Sequence, residues 1–275
     1  MRPFVCADTE MYANTDSRTD ANGYAIRILA EGDSWFSMGN LAAVNLLTQQ
    51  DFDRSAIIVN CACPGDSVAS MVQYMVTERF YDALRYRDWT AIYLSGGGND
   101  LIDAINGADG TRRILKQAAN PASLVAGDWI NAAELKALVD YVRVNLAQMI
   151  SWRSGVNART PVLLNTYDYA VPGPDGLLVA GPWMYPRLVE LGAPQALWAP
   201  VARHLIQALA NAIWRLHKPA TGVYVARTAG TLTPPLAGAP GGNVDWANEI
   251  HPTEAGYDKL CTVWKQKRRD WRLTF

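Results

Sequence analysis

The sequence has few cysteines and few histidines. Its 275 residues include four cysteines, too few for a disulfide framework, and none of them form a CxxC pair. The three histidines, His204, His217 and His251, form neither an HExxH nor an HxH motif, so the usual ligand patterns of a zinc or iron site are missing. We therefore expect reduced cysteines and chemistry that needs no metal and no cofactor.

The chain also lacks long apolar runs and an excess of charge of either sign. No apolar run approaches the roughly 20 residues that span a bilayer, and Met1 to Asp20 is polar, without the pattern of a signal peptide. Twenty-five basic and 26 acidic residues leave a formal net charge of -1, which favours no polyanionic partner. We expect a cytoplasmic protein with no integral membrane association and no nucleic-acid partner.

Short apolar segments rich in β-branched residues predict strands. They are mostly continuous rather than alternating, as expected for strands covered by helices on both faces. Segments with helical periodicity lie between them, and this alternation predicts a parallel sheet with right-handed crossovers. The strands are expected at 25–31, 56–62, 91–95, 161–167 and 222–227, and the helices at 41–50, 67–87, 131–153, 194–217 and 253–269.

The fold class predicted from this pattern is α/β. We expect a flavodoxin-like, three-layer αβα sandwich around a central parallel sheet of about five strands. The whole chain, residues 1–275, is expected to form one domain, with residues 1–22 as an irregular N-terminal extension. Ligands of such sheets bind beyond the carboxyl ends of the strands, so the residues that follow each strand are the candidates for function.

Polar and glycine residues follow the first three predicted strands. Ser34 stands at a strand-to-helix turn, where it either presents its hydroxyl at the sheet edge or caps the next helix. Gly65, after the second strand, allows a close backbone approach or simply makes a tight turn. Asn99 follows a run of three glycines, and its side-chain amide can either donate to a developing oxyanion or cap a helix.

A histidine near the end of the chain has a well-defined position. His251 precedes Pro252 and the last predicted helix, for which Thr253 is the expected N-cap. A lone loop histidine commonly has no special role. A general base, however, needs a fixed position of this kind.

Together these segments resemble the SGNH hydrolases, also called the GDSL esterase/lipase superfamily. The resemblance implies the SGNH hydrolase fold and a serine ester hydrolase that acts through an acyl-serine intermediate. It also implies that Ser34 is the nucleophile, that His251 is the base, and that the oxyanion hole comprises the N–H groups of Ser34 and Gly65 and the side chain of Asn99. The matching residues are, in chain order, Gly32-Asp33-Ser34, Gly65, Gly97-Gly98-Asn99-Asp100 and His251-Pro252.

Two positions depart from the family pattern. Trp35 stands where the family has leucine, and it either contacts the acyl chain or fills the core. The family's acid lies three residues before the histidine, where this chain has Asn248. An asparagine oxygen can orient a ring N–H but brings no full charge to the imidazolium. We expect Asn248 to orient His251, with Asp245 as the second candidate and Glu249 pointing elsewhere.

We expect the long segment 168–192 to form part of the substrate site. It contains Trp183, Met184 and Tyr185, and Trp198 follows soon after; these residues form either an apolar wall for the substrate or a flap packed on the core. Together with Trp35, these aromatic residues favour a small-molecule ester with an apolar acyl group. Two alternatives remain at this point: an acyltransferase that uses the same acyl-enzyme, and a non-catalytic carbohydrate- or lipid-binding relative.

Overall fold

Six parallel strands form one sheet in the part of the chain that the computed structural model describes, namely residues 1–13, 17–37, 44–107, 113–155, 158–176 and 181–275. Their order across the sheet is β1-β3-β2-β4-β5-β6. The strands are β1 (Phe4–Ala7), β2 (Ile26–Gly32), β3 (Ala56–Asn60), β4 (Ala91–Ser95), β5 (Val162–Asn165) and β6 (Val223–Ala226).

Helices flank this sheet. They are α1 (Asp8–Ala13), α2 (Val68–Val72), α3 (Tyr74–Tyr86), α4 (Gly98–Asn106), α5 (Ala132–Trp152), α6 (Tyr185–Glu190), α7 (Trp198–Trp214) and α8 (Glu254–Asp270). Helix α5 packs against α2, α4 and α7, whereas α8 packs on the sheet through Trp264, whose ring centroid lies 4.7 Å from that of Tyr93. Within the described ranges, no helix combines the length and the apolar character that crossing a membrane requires.

The inner strands are buried along almost their whole length. Every residue of β4 is buried, as are the first four residues of β3. Continuous burial is expected where helices cover both faces of a parallel sheet. The prediction of an αβα sandwich around a parallel sheet is therefore confirmed.

The N-terminal segment differs from the expectation. Residues 1–22 were expected to be irregular and the sheet to have about five strands, but Phe4–Ala7 forms an additional edge strand. It pairs in parallel with β3, with Phe4 opposite Ile57. The sequence signal is weak because this strand has four residues and only Cys6 is buried.

Two predicted helices also differ. Of the segment 41–50, residues 41–43 lie outside the described residues, and residues 46–49 form a turn in which the Asn45 side chain accepts the N–H groups of Leu47 and Thr48. The predicted helix 67–87 is divided into α2 and α3 by Gln73, whose backbone is extended with φ -68° and ψ 150°. The expected N-cap of α8 is confirmed, since the Thr253 side chain accepts the N–H of Gly256.

The sheet register brings the chemically interesting segments together. Gly32, the last residue of β2, is paired with Ser95, the last residue of β4. The N–H of Cys63, just after β3, donates to the carbonyl of Gly32 at 3.0 Å. The segments that follow these three strands therefore lie side by side at the carboxyl edge of the sheet.

Gly97 is a position where the fold requires glycine. It has φ 104°, and a Cβ atom there would lie 2.6 Å from a methyl group of Val142 on α5. We predict that Gly97→Ala lowers the free energy of unfolding by about 2 kcal/mol or more, because both the backbone and the contact become strained. Urea-induced unfolding followed by circular dichroism measures this change.

The matched control is Gly127→Ala. Gly127 lies in an exposed 3-10 turn, and a Cβ atom there would meet no other atom within 4 Å. Its unfolding free energy should stay within about 0.5 kcal/mol of the parent value. Equal unfolding midpoints for the two variants would show that the constraint at Gly97 is unimportant.

Candidate active site

A serine and a histidine that are far apart in the sequence meet at the carboxyl edge of the sheet. Ser34 follows β2 and His251 precedes α8, and the distance between Ser34 Oγ and His251 Nε2 is 3.0 Å. The other ring nitrogen, Nδ1, lies 3.1 Å from Asn248 Oδ1. Because an oxygen can only accept here, Nδ1 carries the hydrogen, and Nε2 is left to accept the hydroxyl hydrogen of Ser34.

Asn248 is held so that its oxygen faces the ring. The same Oδ1 atom accepts the backbone N–H groups of Ile250 at 3.0 Å and of His251 at 2.9 Å. Two backbone donors pointing at this atom fix the orientation of the side-chain amide. Asn248 therefore shapes the turn that carries His251 and also orients its ring.

The second candidate for this position, Asp245, is engaged elsewhere. Both of its carboxylate oxygens lie 2.7 Å from Lys259 Nζ, and one of them accepts the N–H of Thr233 at 2.7 Å. It therefore braces the loop before α8 rather than the imidazole. Among the described residues, no carboxylate forms an ion pair with His251.

The surroundings of His251 favour its neutral form. Burial lowers the pKa of His251 from its ordinary 6.5 to about 4, because a charged imidazolium loses hydration there. The Trp183 ring packs at right angles to the imidazole, with centroids 5.5 Å apart. At neutral pH the imidazole is consequently available as a base.

The turn that carries Ser34 is held by its neighbour Asp33. One Asp33 carboxylate oxygen accepts the N–H of Trp35 at 3.0 Å, and the other accepts the hydroxyl of Tyr167. Burial raises the pKa of Asp33 to about 7, and the hydrogen bond from Tyr167 acts in the opposite direction. Tyr167 itself has φ 58°, a left-handed conformation that is uncommon for a large side chain. The sequence analysis missed Tyr167, although it closes the predicted strand 161–167.

The two other predicted oxyanion donors lie on neighbouring turns. Gly65 has φ 86° and belongs to a tight turn in which the N–H of Asp66 donates to the carbonyl of Cys63. Asn99 lies in the first turn of α4, whose N-cap is Gly97, so the alternative role of Asn99 as the cap is wrong.

The Asn99 amide joins these two turns. Its Nδ2 donates one hydrogen to the carbonyl of Asp66 at 2.9 Å. An amide NH₂ group has two hydrogens, so one remains for a ligand.

A cleft opens beside Ser34. It contains about 490 Å³ of empty space, part of it open to solvent. The indole of Trp35 lines the cleft and donates to the carbonyl of Ile250 at 3.1 Å. The lining residues are Asp33, Ser34, Trp35, Gly98, Asn99, Leu101, Ile102, Tyr167, Asp168, Ala170, Met184, Ile206, Leu209 and Ile250. Apolar side chains from α4 and α7 therefore line the cleft together with Ser34 and Asn99.

The residues of the predicted aromatic wall lie in different surroundings. Trp35 lines the cleft as expected, and Trp183 contacts His251. Tyr185 instead packs against Trp198, with ring centroids 5.2 Å apart, and within the described part of the chain it lies outside the cleft lining. Met184, the residue between Trp183 and Tyr185, also lines the cleft.

Comparison with known proteins decides the family. The model of the GDSL-like lipase/acylhydrolase family matches residues 16–259. The chain belongs to this family. It is therefore a carboxylic ester hydrolase that acts on small-molecule acyl esters. A search of curated proteins found no match.

Solved structures with a similar fold include several esterases and lipases. The lipase Lip_vut3 from a goat rumen metagenome is 13% identical, with a TM-score of 0.53, over 88% of this chain and 97% of that chain. An extracellular lipase from Streptomyces rimosus is 14% identical, with a TM-score of 0.48, over 88% of this chain and 100% of that chain. A family 3 carbohydrate esterase from Clostridium thermocellum is 15% identical, with a TM-score of 0.47, over 90% of this chain and 97% of that chain. The first of these likenesses supports the SGNH hydrolase fold.

A buried carboxylate anchors one wall of this hydrolase's site. Glu249 accepts the backbone N–H groups of Trp183 at 2.5 Å, Met184 at 2.9 Å and Tyr185 at 2.8 Å. Burial raises the pKa of Glu249 to about 7, while these three hydrogen bonds lower it. As expected, Glu249 points away from His251. Its position in the chain between Asn248 and His251 links the wall to the turn that carries the base.

We predict that Glu249→Gln weakens both the wall and substrate binding. The amide has a single acceptor oxygen, so at least one buried N–H loses its partner, which costs about 1 to 3 kcal/mol of unfolding free energy. The KM for a p-nitrophenyl ester should rise because Trp183 and Met184 are no longer held in place. Steady-state kinetics and urea unfolding measure the two effects.

Glu190→Gln serves as the matched control. Glu190 is an exposed residue of α6 that pairs with Arg187 at 2.7 Å, and such surface pairs contribute little. Both KM and stability should stay at the parent values in this variant. The same behaviour in Glu249→Gln would contradict the anchoring role.

Proposed function

We propose that Ser34 and His251 hydrolyse esters with apolar acyl groups through an acyl-serine intermediate. The observation that carries this proposal is the 3.0 Å distance from Ser34 Oγ to His251 Nε2. The orientation of the ring by Asn248 and its neutral form support the same assignment. A serine next to a neutral, oriented imidazole is the arrangement that activates a hydroxyl nucleophile.

Acylation begins at the hydroxyl of Ser34. Its oxygen attacks the ester carbonyl carbon while its proton passes to Nε2 of His251, and the carbonyl oxygen takes up the negative charge. The N–H groups of Ser34 and Gly65 and the remaining amide hydrogen of Asn99 would stabilise this oxyanion. The Nδ1–H of the imidazolium stays hydrogen bonded to Asn248 Oδ1 throughout.

The tetrahedral intermediate then breaks down in two stages. The bond to the leaving alcohol breaks, and the proton on His251 Nε2 passes to the alcohol oxygen, which leaves Ser34 acylated. A water molecule next attacks the acyl carbon while giving its proton to Nε2. Collapse of this second intermediate releases the carboxylic acid and returns the proton to Ser34.

The asparagine at position 248 affects the rate of these steps. The imidazolium that forms in each step is buried and faces a neutral oxygen rather than a carboxylate. Replacing the acid of a serine-protease triad by its amide has cost about 10⁴ in rate, although there the cause includes a wrong tautomer. Asn248 keeps the productive tautomer, so we expect a slow but competent base.

The cleft indicates the acyl group. Most of its lining side chains are apolar. An apolar acyl chain would gain about 25 cal/mol for each Å² that it buries there. A polar acyl group that carries hydroxyl groups would leave them without partners against the same wall.

We predict that Ser34→Ala lowers kcat for p-nitrophenyl butyrate by about 10⁴-fold or more, because the nucleophile is lost. In the parent enzyme, kcat/KM across a p-nitrophenyl series should be greater for butyrate than for acetate, because the longer chain buries more apolar surface. A fluorophosphonate probe should label the parent and leave the variant unlabelled. Steady-state kinetics and mass spectrometry of the labelled chain provide the measurements.

Ser151→Ala is the control for this experiment. Ser151 is an exposed serine on α5 that donates to the carbonyl of Gln148. It should retain both turnover and labelling. Turnover that survives Ser34→Ala would assign the reaction to another group.

We predict that Asn248→Asp raises the pKa of His251 from about 4 towards its ordinary 6.5. The introduced carboxylate would stabilise the imidazolium through Nδ1–H. Since only the neutral ring acts as a base, kcat/KM falls as pH drops through this pKa, so the acid limb of the profile should move to higher pH. At neutral pH, kcat should increase, by about tenfold. Activity measured from acid to neutral pH gives both values.

The direction in which the acid limb of the pH profile moves is the test of this prediction. Asn248→Ala serves for comparison, since it removes the oxygen without adding charge and should lower kcat without raising the acid limb. An acid limb that stays in place in Asn248→Asp would show that His251 does not govern it.

A further inference from the structure

A second depression adjoins the cleft beside Ser34, and we call it the Arg203 groove. It contains about 1250 Å³ of empty space, including open solvent. Its lining residues are Tyr169, Ala170, Val171, Ala199, Pro200, Arg203, His204, Gln207, Gly230, Leu232 and Pro234. Ala170 also lines the cleft, so the two depressions meet at this residue.

The same two segments form walls of both depressions. On α7, Arg203 and Gln207 face the groove, while Ile206 and Leu209 face the cleft. The loop after β5 likewise contributes Tyr169 to the groove. The groove thus lies next to the cleft in which the acyl ester would react.

The groove presents a positive charge that is held in place. The guanidinium of Arg203 lies over the Tyr169 ring, 4.7 Å from its centroid. The hydroxyl of Tyr169 donates to Gln207 Oε1, and Gln207 Nε2 donates to Asn211 Oδ1 at 3.0 Å. A stacked guanidinium keeps its N–H donors at the edge of the plane, where they can reach a planar anion.

The charge of Arg203 is not neutralised by an acidic side chain within the described part of the chain. Among the residues that the structure describes, no Asp or Glu lines the groove, and Arg203 forms no ion pair. His204 adds a further donor beside it. The carboxylate of Asp168, which lines the cleft, is occupied by the backbone N–H groups of Tyr169, Gly230, Thr231 and Leu232.

We propose that the Arg203 groove is a subsite for a carboxylate group carried by the ester substrate. The proposal rests on the proposed function, since it takes the Ser34 end of the cleft as the place of reaction. The apolar cleft holds the acyl region, and Arg203 binds the anion through charge-assisted, paired hydrogen bonds. Apolar residues such as Val171 and Leu232 cover the chain that links the two.

The kinetic experiment compares anionic with neutral esters of equal length. One arm uses mono-p-nitrophenyl esters of straight-chain dicarboxylic acids against p-nitrophenyl esters of fatty acids, which places the anion on the acyl side. The other arm uses butyrate esters of ω-hydroxy acids against alkyl butyrates, which places it on the alcohol side. We expect a lower KM for the anionic ester in one arm, at one range of chain lengths, and a weaker preference at high ionic strength.

Arg203→Gln should abolish this preference. The KM for the preferred anionic ester should rise by about fivefold, as expected for one partly exposed charged contact, while values for the neutral ester stay unchanged. Arg227→Gln is the matched control, because Arg227 is also stacked on an aromatic ring, 4.2 Å from the Trp214 centroid, but lies outside both depressions. No preference in either arm, or a preference that survives Arg203→Gln, overturns the proposal.

A binding measurement separates this proposal from the catalytic one. The Ser34→Ala variant is titrated calorimetrically with monomethyl suberate and with methyl octanoate, with and without Arg203→Gln. Tighter binding of the anionic ester that depends on Arg203 supports the subsite even if the parent enzyme proves inert towards esters. Equal binding of the two ligands by the Arg203-containing protein counts against it, whatever the turnover.

Discussion

One neutral oxygen atom, Oδ1 of Asn248, organises the segment on which this active site depends. It accepts two backbone N–H groups, of Ile250 and His251, and it also receives the Nδ1–H of the imidazole. The backbone bonds set the turn and the ring bond sets the tautomer, so the same atom positions the imidazole of His251 and selects the nitrogen that faces Ser34. A carboxylate would perform both tasks and add a charge. With the amide, the positioning is retained, and the site relies on burial to keep the imidazole neutral.

Buried carboxylates around the site serve the backbone rather than the reaction. Asp33 accepts an N–H group of the turn after β2, and Asp168 accepts N–H groups of the loops after β5 and β6. Glu249 accepts the N–H of Met184 in the wall of the cleft. Loops at the carboxyl edge of a parallel sheet leave many N–H groups without strand partners. An acidic side chain accepts several of these at once, and this explains why such groups are buried here despite the cost of desolvation.

Much of the architecture could be predicted from the sequence because the central strands are short, continuous apolar segments with helical segments between them. The strand β1 could not be predicted, since its four mostly half-buried residues resemble an irregular chain end. It forms by pairing with the edge of β3. The candidate site residues Ser34, Asn99 and His251 could be named from the sequence because each lies in a segment that follows a strand or precedes the last helix and that matches the family pattern. Tyr167 was not, because its role arises from a contact with Asp33 that is distant in the chain.

The sequence by itself determined which chemical groups stand at the strand ends and before α8, including a neutral asparagine where the family has an acid. The tertiary structure alone decided which nearby polar group meets the imidazole. Asp245 and Asn248 are both close to His251 in the chain, but Lys259 from α8 and the N–H of Thr233 engage Asp245. Likewise, the structure places Met184 in the cleft lining and packs Tyr185 against Trp198. The partners of Asp245 come from other segments of the chain, and the spacing of residues around His251 carries no information about them.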